Sequence, residues 1–243
     1  MKKTLIIASL ALASSAAFAS GNAPWTYSGA GGPDEWAKLT PESSACAGKN
    51  QSPIDLNGFI KADLKAIQFA YQAGGKEIVN NGHTIQINYA PGSSIKLENV
   101  QFELKQFHFH APSENLIKGK SYPLEGHFVH ADKDGNLAVI AVMYKEGAEN
   151  KALSTLWSVM PKEANEKADL ANAFSATKLL PVKRSYYRFS GSLTTPPCSE
   201  GVRWMVMKNP VSVSKEQIGA FSQVLHHPNN RPVQATNART ILQ

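Results

Sequence analysis

The sequence is short of several things, and each shortage removes a class of protein. It has two cysteines in 243 residues, too few for a multi-disulfide scaffold or a four-thiolate metal site. Charged residues make up 18% of the chain, and the formal excess of +6 is spread along it. No basic helix, aromatic–basic interleaving or nucleic-acid motif occurs, so no nucleic-acid partner is expected. Beyond residue 20 no apolar run approaches the roughly 20 residues that cross a bilayer, so no membrane association is expected of the mature chain. No repeat, low-complexity tract or linker divides residues 20–243, which fits one domain with a sizeable core.

The N-terminus reads as an export signal. Met1-Lys2-Lys3 is a short basic start, Thr4 to Phe18 is apolar and small, and Ala17-Phe18-Ala19 offers a small-x-small cleavage site. The expected division is a signal peptide over 1–19 and a folded domain over 20–243. The signal has a bacterial style, so the periplasm is the expected destination, with free secretion as the alternative. In an exported chain Cys46 and Cys198 are expected to form one disulfide. The alternative, a pair of soft metal ligands, has no Cys-x-x-Cys spacing behind it. A monomer and a homodimer are both compatible with the sequence.

Strand signals dominate the middle of the chain. His83 to Tyr89 alternates polar and apolar residues, and Gln101–His110, Tyr122–His130, Asn136–Tyr144 and Gly201–Met207 also read as strands. Asp132-Lys-Asp-Gly-Asn136 predicts an antiparallel hairpin between two of them. Two helices are expected at the periphery. Ala148–Met160 carries Leu153, Leu156, Trp157 and Met160 at helical spacing, and Ser214–Leu225 opens with a Ser214-x-x-Gln217 capping box. The fold class is therefore mainly β (α+β), a single domain with short peripheral helices.

The informative stretch is Gln101-Phe-Glu-Leu-Lys-Gln-Phe-His-Phe-His110. Residues two apart on a strand share a face, which places Gln106, His108 and His110 beside Phe102 and Leu104, with Phe107 and Phe109 behind. Two imidazoles about 7 Å apart at Cα can converge on one metal ion from such a face. A second strand puts Glu125, His127 and Val129 on one face and Phe128 and His130 on the other. If the two strands pair antiparallel, His108, His110 and His127 form a three-histidine site with an open fourth position, the pattern of a catalytic zinc. Gln106 and Glu125 each stand two residues before a candidate ligand, where they can fix its tautomer. Of the remaining histidines, His83 sits at a turn and can relay protons. His130 points away as a structural residue, and His226 and His227 mark a polar helix end.

With these residues in view, the sequence resembles the α-class carbonic anhydrases, in particular their secreted bacterial branch. The resemblance rests on Gln106-Phe-His-Phe-His110, Ser113-Glu114, Glu125-Gly-His-Phe-Val-His130 and Gly191-Ser-Leu-Thr-Thr-Pro-Pro-Cys198. Asn80-Asn-Gly-His83, Asn50-Gln-Ser-Pro-Ile-Asp55, Trp204, Trp25-x-Tyr27 and Asn229-Asn-Arg-Pro232 add to it. It implies a large, mostly antiparallel, twisted central sheet and reversible hydration of carbon dioxide to bicarbonate. His108, His110 and His127 would hold Zn²⁺, oriented by Gln106, the Asn229 carbonyl and Glu125 respectively. Thr194 and Glu114 would orient the attacking hydroxide. Val129, Val139, Leu193, Val202 and Trp204 would form an apolar wall for carbon dioxide, and Thr195 would help hold bicarbonate. His83 would shuttle the proton out, helped by Tyr27, Asn81 and Gln86. Cys46 and Cys198 would brace the loop carrying Thr194.

Two positions depart from the family's usual pattern. Asn115 stands where relatives have His, and Phe189 where they have Tyr, and the expected consequence is a shift in local stability rather than lost activity. His108-x-His110-x-x-x-Glu114 also matches the first motif of a metal cupin, in which the glutamate would be a ligand for iron or manganese. A carbonic-anhydrase-like binding module is the non-enzymatic alternative, since a fold alone does not establish activity.

Overall fold

The alternating segments fold as strands of one large sheet. A computed structural model describes residues 25–243, so the signal-peptide reading of residues 1–19 lies outside the described residues. In chain order the strands are β1 (Asp55–Leu56), β2 (Gln68–Ala70), β3 (Ala73–Asn80), β4 (Ile85–Tyr89), β5 (Ser94–Leu97) and β6 (Val100–His110). They continue with β7 (Leu116–Ile117), β8 (Leu124–Ala131), β9 (Leu137–Glu146), β10 (Lys167–Ser175), β11 (Tyr186–Ser192), β12 (Glu200–Met207) and β13 (Val211–Val213). Eleven of them make one sheet along the path β10-β3-β4-β6-β8-β9-β12-β11, with β5 also on β6, β2 on β5, and β13 on β9. β12 and β13 run parallel to β9, and the other pairs in this sheet are antiparallel.

β6 and β8 lie near the middle of this path, and every residue of β8 is buried. The hairpin from β8 to β9 turns at Asp132, whose carboxylate accepts the N–H groups of Asp134 and Asn136 at 2.9 Å each. A large apolar cluster fills one side of the sheet, and a smaller one, including Val129, Val139, Val202 and Trp204, fills the other.

One expected facing is corrected. The register of β6 against β8 jumps between Leu104 and Gln106, leaving Lys105 as an extra residue and reversing the phase of alternation. Phe102 and Leu104 therefore join Phe107 and Phe109 in the large cluster, rather than sharing a face with the histidines.

The helix expected over Ala148–Met160 is shorter than its periodicity suggests, and the one expected over Ser214–Leu225 forms as read. α1 (Trp36–Leu39) is a single turn, α2 spans Lys151–Trp157, and α3 spans Lys215–Leu225. The helix expected from Ala148 starts at Lys151 because the Asn150 side chain accepts the N–H groups of Ala152 and Leu153. α3 carries the expected capping box, with Ser214 and Gln217 bonded reciprocally. The Gln217 amide also exchanges hydrogen bonds with the Asn150 backbone at 2.9 and 2.8 Å, locking α3 to the start of α2.

His130 lies on the Phe128 side of β8, fully buried. Its Nδ1 donates to the Ala138 carbonyl at 3.1 Å, so Nε2 accepts from the Tyr71 hydroxyl at 2.7 Å. Burial pushes this imidazole from 6.5 down to about 4. Between those values the unfolded chain binds a proton that the folded chain refuses, so native stability falls as the pH drops through this window. At 1.36 kcal/mol per pKa unit the loss is about 3 kcal/mol. Urea unfolding between pH 7 and 4.5 should show a shallower pH dependence in His130→Gln than in the parent protein. Equal slopes would count against this account.

Candidate metal centre

Antiparallel pairing of β6 with β8 sets His108 opposite His127, with His110 one strand repeat along. One ring nitrogen from each of the three lies within 4.8 Å of the others. The second nitrogen of each ring is engaged elsewhere. His108 Nδ1 bonds Gln106 Oε1 at 2.8 Å, His110 Nδ1 bonds the Asn229 carbonyl at 2.7 Å, and His127 Nε2 bonds Glu125 Oε1 at 2.9 Å. Each acceptor holds a proton on the nitrogen facing it and leaves the inward nitrogen a bare lone pair. Burial, reinforced by neighbouring imidazoles at His108 and His127, pushes all three below the usual histidine value, so the neutral, ligating form prevails.

The glutamates around this cluster have distinct settings. Glu125 is fully buried and accepts four hydrogen bonds. Two come from the Glu114 and Asn115 backbone N–H groups at 2.7 and 2.9 Å, one from Asn115 Nδ2 at 2.7 Å, and one from His127. Asn115 is fully used as well, since its Oδ1 accepts the Ile54 N–H at 3.2 Å. Its amide thus finds the partners that a buried polar group needs. Phe189 stacks on Trp204 with centroids 5.9 Å apart, and no phenol has to be satisfied there.

Glu114 Oε1 accepts the Arg231 N–H at 2.8 Å, while Oε2 lies 3.5 Å from His110 Nε2 and 3.9 Å from His127 Nδ1. Burial drives this carboxyl well above its usual range, and the Arg231 N–H and the Thr194 hydroxyl oppose the shift. His110 Nε2 and Glu114 Oε2 are buried without a hydrogen-bond partner among the described residues. Such atoms are costly in a fully buried site and point to an absent partner.

The loop from Leu193 to Ser199 brings Thr194 to this place, and it is pinned at both ends. Ser52 and Ser192 exchange backbone-to-hydroxyl hydrogen bonds at 2.8 and 3.1 Å. A Cβ on Gly191 would fall 2.1 Å from Ser52 Oγ, so this close pairing requires glycine. At the far end Leu193 N–H bonds the Ser199 carbonyl, Cys198 N–H bonds the Thr195 carbonyl, and Cys198 forms a disulfide with Cys46. The pairing expected of the two cysteines is thus present.

The fully buried Arg231 side chain ties the same region together, donating to Gln51, Ser52 and Cys46 oxygens and lying over the Trp36 ring. The family motif that contains Arg231 was legible in the sequence, but this clamp was not. It appears only when four distant segments meet.

The apolar residues expected to form a wall do share one cluster: Val129, Val139, Val202 and Trp204, with Leu193 packed against them. At the rim, the half-buried His83 ring stacks on Trp25 with centroids 3.7 Å apart, and Tyr27 lies 6.4 Å from it. Asn81 Oδ1 caps the turn by accepting the His83 and Thr84 N–H groups. Gln86, opposite His108 in the sheet, donates to Asn88 at 2.7 Å.

Comparison with known proteins places this arrangement. Residues 31–243 match the family model described as eukaryotic-type carbonic anhydrase. The chain belongs to the α-class carbonic anhydrase family. It is 50% identical to a carbonic anhydrase of Pectobacterium carotovorum over 243 residues, all of both chains. Among solved structures it is similar to the α-carbonic anhydrase of Thermovibrio ammonificans in complex with sulfanilamide, at 50% identity and a TM-score of 0.90, covering 92% of this chain and 100% of that one. A hyperthermostable carbonic anhydrase from a hydrothermal vent chimney matches at 55% identity and a TM-score of 0.88, covering 90% and 98%. The chain is therefore a carbonic anhydrase, an enzyme of the family whose general reaction is the hydration of carbon dioxide.

Proposed function

We propose that this carbonic anhydrase runs the reversible hydration of carbon dioxide on a Zn²⁺ ion held by His108, His110 and His127. The observation that carries this reading is the convergence of three buried ring nitrogens, each left bare because its ring is engaged through the other nitrogen. Three neutral imidazoles suit zinc and leave a fourth position open, as catalytic sites require. A cation there also satisfies the otherwise orphaned His110 Nε2. When bound, zinc would supply a nucleophile at neutral pH by bringing the pKa of a water down to about 7, a figure known from carbonic anhydrases generally.

The chain's own residues do the rest. Glu114, held by the Arg231 N–H, accepts a hydrogen bond from the Thr194 hydroxyl, and Thr194 in turn accepts one from the attacking oxygen. Val129, Val139, Leu193, Val202 and Trp204 offer an apolar surface to an uncharged substrate, and Thr195 holds the charged product. His83 takes up the proton released in each turnover and passes it to buffer. Its imidazole is pushed down by burial and by His227, which favours release. Among the described residues no helix is long and apolar enough to cross a membrane. The Cys46–Cys198 disulfide supports export, and the periplasm is the compartment we assign.

Stopped-flow hydration of carbon dioxide by the oxidised protein tests the reading. Activity should vanish on chelation and return with added zinc. A folded, zinc-loaded protein with no hydration activity would instead favour a binding module.

A further inference from the structure

We propose that His227 is a second relay imidazole, so that protons leave this enzyme through a pair of histidines, the half-buried His83 and the exposed His227. The inference rests on the proton-exit role proposed for His83. Its basis is the geometry of the rim. The Tyr27 ring lies 6.4 Å from the His83 ring and 6.0 Å from the His227 ring, which brings the two histidines to one aromatic cluster. His83 is half-buried against Trp25, whereas His227 is exposed.

The chain holds His227 in place. Left-handed backbone at His226, with φ of 61°, ends α3 just before His227. Two residues after His227, Asn229 is fully buried. Its amide donates to the His83 and Phe109 carbonyls at 3.0 and 2.8 Å, and its own carbonyl accepts from His110. One residue thus ties together the segment of His83, the histidine strand and the segment of His227.

The tautomer of His227 suits a relay. Nδ1 bonds the Pro228 carbonyl at 2.9 Å, and a carbonyl can only accept, so Nδ1 carries the proton and Nε2 is a free acceptor. In the transfer, protonated His83 loses a proton through water to His227 Nε2. The resulting His227 cation then gives a proton to a buffer base, and both rings return to neutral. Among the described residues, the titratable side chains that face His83 are Tyr27 and His227. Burial keeps the Tyr27 phenol protonated, and a charge on His227 disfavours a charge on His83. The two imidazoles therefore avoid holding protons together, which keeps the inner one ready to accept the next.

The test compares the zinc enzyme with His227→Ala and His83→Ala in dilute, bulky buffer. His227→Ala should lower kcat about three- to tenfold with kcat/KM unchanged, less than the 10²-fold or more of a directly acting acid–base group. High concentrations of imidazole buffer should erase the difference. By NMR, His83 should titrate closer to the ordinary histidine value in His227→Ala, because a like charge has been removed. If His83→Ala lowers kcat but His227→Ala does not, this inference is overturned and the His83 role stands. If His83→Ala has no effect on kcat, the His83 role fails and this inference with it. A parallel fall in kcat/KM for His227→Ala would mark a structural role and also overturn it.

Discussion

His110→Ala is expected to empty the metal centre and reduce carbon dioxide hydration by about 10³-fold or more, at least 4 kcal/mol of barrier at 1.36 kcal/mol per decade. Two nitrogen donors do not replace three. The change also strips the Asn229 carbonyl of its partner inside the fold. Zinc content per chain, measured after dialysis, should fall with activity. Glu114→Gln should behave differently, retaining zinc while losing about 10²-fold in turnover, the scale seen when one preorganised group is removed. In the cupin-like reading, Glu114 is itself a ligand, and its Oε2 does lie 3.5 Å from His110 Nε2. Its other oxygen, however, is committed to the Arg231 N–H. Loss of metal from Glu114→Gln to the same extent as from His110→Ala would overturn our assignment of these roles.

Removing the disulfide should have the largest effect on stability. Cys46 and Cys198 are 152 residues apart, and a loop of that size is worth about 5 kcal/mol in the chain-entropy account. This compares with a total of about 5–15 kcal/mol for a typical domain. The site suffers too, because Cys198 closes the loop that carries Thr194 and packs with Trp25, Trp36 and Cys46 in a cluster of its own. The double variant Cys46→Ser, Cys198→Ser should unfold at a markedly lower urea concentration than the oxidised parent and lose activity before it unfolds. Superimposable unfolding curves would show that the cross-link contributes little.

Much of this could be read before folding was considered, because the relevant interactions are local. Alternation in Gln101–His110 and Tyr122–His130 located two strands, since side chains two apart share a face. Ser214 and Gln217 announced a helix start, since a capping box closes within four residues. Asp132–Asn136 announced a hairpin for the same reason. The histidine spacing also carried the candidate ligands, once antiparallel pairing was assumed.

Other features were decided only by contacts between distant segments. The bulge at Lys105 depends on how β6 meets β8, and it moved Phe102 and Leu104 to the opposite face from the one that alternation assigns. The burial of Arg231 against Gln51, Ser52, Cys46 and Trp36, and the use of its N–H by Glu114, bring together segments separated by up to 195 residues. The same holds for Asn115, whose amide is satisfied by Ile54 and Glu125, and for the meeting of His83, Tyr27 and His227. Short-range periodicity and capping thus determined which residues could form strands, helices and a metal-binding face. Tertiary packing decided which buried polar atoms met their partners, because hydrogen bonding and desolvation depend on distance in space and not on position along the chain.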